Sequence, residues 1–186
     1  LIYGEKFYRR LNYDWKKFPS RTEIIKNIIS HKKYSTYLEI GCDQDENFSK
    51  IDLKEKIGVD PKSGGTHRMT SDTFFKSNKK KFDFIYVDGL HTYEQAIKDI
   101  KNALVFLNEN GIILLHDCLP KKIWNQIVPR IYGHWNGDVW KAIVETRTWN
   151  HVDTVTIIAD HGLGLIKKNK NSNILMDKIK NFKKLK

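Results

Sequence analysis

Read by periodicity, the sequence predicts an α/β fold: a mainly parallel sheet with helices on both faces. Three observations carry this. Apolar runs of strand length recur along the chain. Segments with apolar residues every three or four positions separate them. Glycine, proline or an acid ends most of the runs. Strands alternating with helices imply right-handed crossovers, and hence parallel neighbours.

In chain order, "RTEIIKNIIS" puts Ile24, Ile25, Ile28 and Ile29 on one helical stripe, and "TYLEIG" (36–41) is a short buried strand closed by glycine. "ENFSKIDL" reads as a short helix. "KIGVDP" (56–61) is a second strand, whose proline prevents ladder continuation. "THRMTSD" is a weaker third strand, placed by the turn signals around it, and "KFDFIYVDG" (81–89) is the clearest strand. Thr92 is an N-cap candidate for a helix in which Tyr93, Ala96, Ile97, Ile100, Ala103, Leu104 and Leu107 form the apolar stripe. "NENG" stops that helix, and "GIILLHD" (111–117) is a buried strand. "GDVWKAIVETRTW" is a helix opening at Asp138, while "HVDTVTIIAD" and "HGLGLIKK" form a closing antiparallel hairpin. The expected sheet has seven strands, the last of them antiparallel. Between Asp117 and Asp138, "CLPKKIWNQIVPRIYGHWNG" is too long for an ordinary αβ connection. Its aromatics disfavour disorder, so it is either a lid over an acceptor or a packed excursion.

At 186 residues, 40% of them hydrophobic, the chain is long enough for one domain with a substantial core. Cys42 and Cys118 form neither a disulfide framework nor a zinc spacing, which suits a reducing, cytoplasmic setting. No run approaches the roughly 18 apolar residues of a membrane span. "LIYGEKFYRR" lacks the apolar region of a secretory signal, and a start at Leu1 suggests that a few residues precede it. The charge of +11 invites a nucleic-acid reading, but residues 167–186 hold eight lysines and one aspartate and account for most of it. Lysines outnumber arginines 27 to 6, whereas base-reading surfaces favour the bidentate guanidinium.

The first strand runs into "LEIGCDQDENF", a turn with one glycine followed by Asp43, Asp45 and Glu46. A phosphate site needs a glycine-rich turn with amides facing the anion, and this acidic turn would repel a pyrophosphate. It would tolerate an ammonium or sulfonium, although acids here could equally cap a helix dipole. Asp60 ends the second strand nineteen residues after Gly41, where an acid can take both ribose hydroxyls. Ser71 and Asp72 fall at the rim expected for an adenine edge. Together these residues suggest a nucleoside ligand without phosphates.

The ordered set Glu39-Ile40-Gly41-Cys42, Gly58-Val59-Asp60-Pro61, Thr70-Ser71-Asp72 and Val87-Asp88-Gly89-Leu90-His91-Thr92-Tyr93-Glu94 resembles the successive motifs of a class I S-adenosylmethionine-dependent methyltransferase. "LLHDC" and "GDVWKAIVE" are similar to the branch holding macrolide-type sugar O-methyltransferases and cephalosporin-hydroxylase-like proteins. The resemblance spans about residues 35–165 and implies a Rossmann-like methyltransferase fold. It implies that Glu39, Gly41, Cys42, Asp43 and the backbone to Asp45 surround the methionine end of the cofactor. Asp60 would bind ribose, Ser71 and Asp72 would lie near adenine, and Asp88 would border the donor. Asp45 departs from the pattern, since relatives commonly have glycine there, and Asp43 crowds the same turn.

Methyl transfer to a hydroxyl needs an aligned acceptor, help removing its proton and stabilisation of the developing alkoxide. His91, three residues after Asp88, is the candidate base. Asp88 and Asp117 end strands expected to be adjacent, so their carboxylates can converge on a divalent cation. In the resembling sugar O-methyltransferases these positions look like magnesium ligands, and His91 matches the proposed base. His116 occupies the position of another acidic ligand; an imidazole there shifts preference toward a transition metal or serves another role. Asp88 could also be a plain acid at a helix start, and His116 a core histidine. His134 could reach an acceptor from the lid, as could His67 and Arg68, although surface exposure explains those two equally well. Glu94 reads as a dipole partner and Tyr93 as core.

These readings divide the chain into a helical lead-in (1–34), an S-adenosylmethionine-binding catalytic domain (35–168, with the lid at 118–137) and a basic tail (169–186). The expected activity is O-methylation of a small polar or sugar-like acceptor, with magnesium or another divalent metal as a candidate helper. A nucleic-acid methyltransferase and a non-catalytic methyltransferase-like domain are the alternatives. The tail could pack on the body, mediate self-association or touch an anionic surface. "YRRLNYDWKKF" could line an acceptor mouth or simply pack.

Overall fold

The computed structural model describes residues 13–131, 133–172, 174 and 175. The expectations for the amphipathic tail beyond 175 and for residues 8–12 of "YRRLNYDWKKF" lie outside them. Strands β1 (Thr36–Ile40), β2 (Glu55–Val59), β3 (Phe82–Val87), β4 (Leu107–Leu115), β5 (Val152–Ile157) and β6 (Leu163–Lys168) form one sheet in the order β2-β1-β3-β4-β6-β5. The β2–β1, β1–β3 and β3–β4 pairings are parallel, with Leu38 opposite both Ile57 and Ile85, and Ile85 opposite Ile113. Strand β6 runs antiparallel to both β4 and β5, so the closing hairpin and the antiparallel last strand form as expected.

The central strands read as unbroken apolar runs because both faces are covered. Leu38, Ile40, Ile85, Val87, Ile113 and Leu115 point to one face, against α3 (Tyr93–Phe106) and α5 (Trp140–Thr146). Tyr37, Phe84, Tyr86, Ile112 and Leu114 point to the other, against Ile25 and Ile29 of α1 (Arg21–Lys32). Helix α1 starts in a reciprocal capping box between Ser20 and Glu23. Thr92 caps α3 as the sequence suggests, and the Tyr93 amide also donates to Asp138 Oδ1 at 2.6 Å. Along α3, Ala96, Ile97, Ile100 and Ala103 are buried, each isoleucine contributing about 1.5–3 kcal/mol.

Two expectations are corrected. The sheet has six strands rather than seven among the described residues. "THRMTSD" contributes only a single bridge between Val59 and His67. The amides of Thr66 and His67 both turn back onto the Gly58 carbonyl, and Thr70 then caps α2 (Ser71–Ser77), so its strand ladder ends at one bridge. "ENFSKIDL" winds for only one 3₁₀ turn, Phe48–Lys50. The long connection is ordered where described and carries the short helix α4 (Ile123–Gln126). Among the described residues no helix is long and apolar enough to cross a membrane.

Candidate active site

The ends of β1, β2, β3 and β4 open onto one cavity of about 860 Å³ at the carboxyl edge of the sheet. The residues expected to hold the donor or a metal, or to act as base, line it, apart from the backbone of Asp45. Glu39, Gly41, Cys42, Asp43, Asp60, Ser71 and Asp72 surround one part, and Asp88, His91, His116 and Asp117 the other. The two parts meet at Gly41, where φ is +87° and a Cβ would overlap the Asp88 carbonyl oxygen. Glycine is therefore required for β1 and β3 to end side by side.

In the first part, Asp60 Oδ2 accepts from the Asp43 amide at 3.1 Å, and its Oδ1 accepts from the Lys62 and Ser63 amides at 2.7 and 3.0 Å. Burial opposes ionisation of Asp60, but these amides outweigh it and hold its pKa below the ordinary value. Asp43 and Asp45 both adopt left-handed backbone, at φ +45° and +61°. Asp45 does not face the cavity. Its Oδ1 accepts from the Gly65 amide at 2.7 Å and ties the first turn to the loop after β2. Ser71 and Asp72 open α2 and are held by Gln95, whose Nε2 lies 3.2 Å from Ser71 Oγ and 3.3 Å from Asp72 Oδ1. Lys98 pairs with Asp72 and is the main reason that carboxyl sits low.

Glu39 is 1% exposed. Burial pushes its pKa up to about 7, against hydrogen bonds from Tyr37 and Asn47 that favour the charged form. Asn47 Nδ2 donates to Glu39 Oε2 at 2.7 Å, and Thr22 Oγ1 of α1 donates to Asn47 Oδ1 at 2.8 Å. Cys42 packs tightly behind, and burial pushes its thiol up, which makes it inert filling.

In the second part, Asp88 and Asp117 follow adjacent strands, and their carboxylates converge with His116. One ligand atom from each lies within 4.8 Å of the others. His116 Nδ1 is 3.2 Å from Asp88 Oδ1 and 3.6 Å from Asp117 Oδ2. Burial disfavours its cationic form, but Asp88 and then hydrogen bonds to Asp117 and Asp160 raise its pKa well above the usual value. Burial likewise works against ionisation of Asp88, and His116 overrides it, so Asp88 sits well below the carboxylate range. His91 Nδ1 donates to the Trp135 carbonyl at 2.9 Å, leaving Nε2 as the basic atom, 3.5 Å from Asp88 Oδ1. Burial lowers the His91 pKa, but Asp88 and Asp117 raise it further, for a net rise.

The long connection returns into this corner. Trp135 stacks on His91 with ring centroids 5.4 Å apart, and Asn136 Nδ2 donates to Asp117 Oδ1 at 2.5 Å. Gly137, at φ +62°, sits where a Cβ would overlap the His91 carbonyl oxygen. Arg130, Gly133, His134 and Trp135 line the cavity. His67 and Arg68 do not. His67 instead contacts Phe74, ring centroids 5.6 Å apart. Glu94 also lies off the cavity, and Tyr93 is buried in the core.

Sequence reasoning missed Arg21, Asn47, Asn136 and Asp160. Each reaches the site from a helix or turn with no local pattern to betray it.

Residues 30–118 match a family described as a methyltransferase domain. No curated protein sequence matches the chain. Among solved structures, it is similar to a Podospora anserina methyltransferase, PaMTH1, bound to S-adenosylhomocysteine. The two share 17% identity and a TM-score of 0.63, covering 91% of this chain and 87% of the other. It is also similar to an O-methyltransferase from Bacillus cereus in complex with S-adenosylhomocysteine, at 8% identity and a TM-score of 0.60, covering 90% and 86%. Residues 30–118 thus carry a methyltransferase-domain pattern, and most of the chain shares its fold with these two methyltransferases.

Proposed function

We propose that the protein transfers the methyl group of S-adenosylmethionine to a hydroxyl oxygen of a small polar acceptor. One observation carries the reading. A single cavity joins an acidic part beside Gly41 and Asp60 to a histidine–carboxylate corner at Asp88, His91, His116 and Asp117. Both structural neighbours hold the demethylated donor. Here the donor's ammonium would face ionised Glu39, a ribose hydroxyl Asp60 Oδ2, and its adenine the Ser71–Asp72 edge. Asp60 Oδ1 already accepts from two amides and Oδ2 from one, which leaves Oδ2 a lone pair for a ribose hydroxyl.

The acceptor hydroxyl enters between the donor and His91. His91 Nε2 takes its proton while the oxygen attacks the methyl carbon. The carbon–sulfur bond breaks as the carbon–oxygen bond forms, and its electron pair stays on sulfur to leave a neutral thioether. The Trp135 carbonyl fixes the tautomer this step needs. Asp88 and Asp117 steady the resulting imidazolium, the latter 3.2 Å from His91 Nδ1.

The corner also fits a divalent cation. Two carboxylates and one imidazole nitrogen face the same small space. A nitrogen donor there suits manganese, iron or zinc better than magnesium. Asp88, His116 and Asp117 would hold the ion, which would supply Lewis acidity at the acceptor oxygen. A sugar-like acceptor rests on the branch resemblance alone.

The test is calorimetry of the intact chain with S-adenosylmethionine, repeated with manganese or magnesium and after chelation, followed by a panel of hydroxyl acceptors. The reading expects saturable donor binding and methyl transfer to oxygen. A folded chain that binds no donor refutes it. Donor binding without transfer to any acceptor would favour a non-catalytic domain.

A further inference from the structure

We propose that Asp160 is a positioning residue that fixes which nitrogen of His116 faces the Asp88–Asp117 corner. The inference rests on the metal reading above, with His116 as a ligand.

Asp160 lies in the turn between β5 and β6, more than forty positions from His116. It does not line the main cavity, so it acts only through its neighbour. Its Oδ1 is 3.3 Å from His116 Nε2, while the opposite edge of the same ring points Nδ1 at Asp88 Oδ1, 3.2 Å away. The ring is thus held at both nitrogens. Turning it by half a revolution would put carbons against the carboxylates and forfeit both contacts. With the Nε2 proton donated to Asp160, Nδ1 is the nitrogen presented to Asp88 and Asp117. A ligating imidazole needs this arrangement, in which a carboxylate behind the ring sets its tautomer and orientation.

Asp160 is itself held from behind. Its Oδ2 accepts from the Arg21 amide at 2.7 Å, and the Arg21 guanidinium lies 3.4 Å from Oδ1. Arg21 is the first residue of α1, so the start of that helix, the β5–β6 turn and the end of β4 are joined through one carboxylate. Two of these three elements lie outside residues 30–118, the stretch that carries the methyltransferase-domain pattern.

The experiment compares the intact wild-type chain with Asp160→Ala and Asp160→Asn. Manganese alone and S-adenosylhomocysteine are titrated separately by calorimetry. The His116 ring nitrogens are observed by ¹⁵N nuclear magnetic resonance in the metal-free chain. Asp160→Ala is expected to weaken manganese binding about 10- to 100-fold. S-adenosylhomocysteine affinity should stay within about twofold, because its proposed seat is elsewhere; a general loss of structure would lower both. Asp160→Asn should recover part of the loss, since its carboxamide oxygen can still accept from Nε2. Manganese affinity unchanged in Asp160→Ala overturns the proposal. If the wild type takes up no manganese, the metal reading fails, and the resonance measurement decides the positioning claim. A hydrogen-bonded Nε2 proton present in the wild type and lost in Asp160→Ala sustains it. Absence of that proton from the wild type overturns it, as it also would if Asp160→Ala did not fold.

Discussion

Glu39 offers the sharpest quantitative test. Its pKa lies at about 7 because the side chain is buried at the end of β1, against an ordinary value of 4.5. If the donor's ammonium must meet an ionised Glu39, the apparent affinity follows the ionised fraction. That fraction falls from about 0.9 at pH 8 to about 0.1 at pH 6, so binding should weaken about tenfold, or about 1.4 kcal/mol. Binding at pH 6 should expel about 0.9 of a proton, read by calorimetry in two buffers of different ionisation enthalpy. Glu39→Gln should bind weakly and lose the slope. The control matters because His91 and His116 also titrate, and their protonation would oppose a cationic ligand too. A Glu39→Gln chain that keeps the full pH slope, or a wild type whose affinity is flat from pH 8 to 6, refutes the reasoning.

The same shift has a stability consequence of opposite sense. A carboxyl whose folded pKa is raised binds its proton more tightly when folded. Its contribution is therefore greatest below pH 4.5 and is lost as pH rises through 7. Integrated over that interval the cost is as much as about 3 kcal/mol. Urea denaturation should find Glu39→Gln more stable than wild type at pH 8, and the difference should vanish near pH 4.

Three further outcomes follow from the geometry. Gly137→Ala would drive a Cβ into the His91 carbonyl, so methyl transfer should drop at least about 100-fold while S-adenosylhomocysteine affinity holds within a few fold, measured on the same preparation. Asp45→Ala should lower stability by about 1–3 kcal/mol in urea denaturation, because it strands the Gly65 amide and places alanine in left-handed backbone. Asp45→Gly should lose less, with donor affinity unchanged, if that acid is structural. His116→Glu exchanges the nitrogen donor for oxygen and should raise the preference for magnesium over manganese, read by competitive titration.

The parts of the fold legible in the sequence are those whose burial is two-sided. "FDFIYV" and "GIILL" could only be central strands, because both their faces meet covering helices. The segment 66–72 was not legible in the same way. Its outermost position leaves it one neighbour, and the local capping preference of Thr70 decides its conformation against the strand. The short helix expected at 46–53 failed for a related reason. Phe48 and Ile51 are buried as a helix would bury them, but one turn suffices to do it.

The candidate site divides along the same line. Asp60, Asp88 and Asp117 were readable because a residue at the end of a parallel strand has its place fixed by the ladder before it. Arg21 meets Asp160 across 139 positions, and Thr22 meets Asn47 across 25; neither pair has a spacing to recognise. The charge arrangement came from these unreadable partners, and it bears on the proposed chemistry. The sulfonium's positive charge fades as the methyl leaves, so a bare carboxylate beside it would stabilise the donor more than the transition state and slow the transfer. The acids that best suit the cationic donor, Glu39 and Asp60, lie toward its ends on the proposed placement. Asp88, which the same placement puts nearest the reacting centre, is instead engaged by His91 and His116, while Arg21 and Asp160 extend the network behind it. The acidic first turn is then compatible with catalysis, because the carboxylate closest to the moving methyl has its charge committed elsewhere.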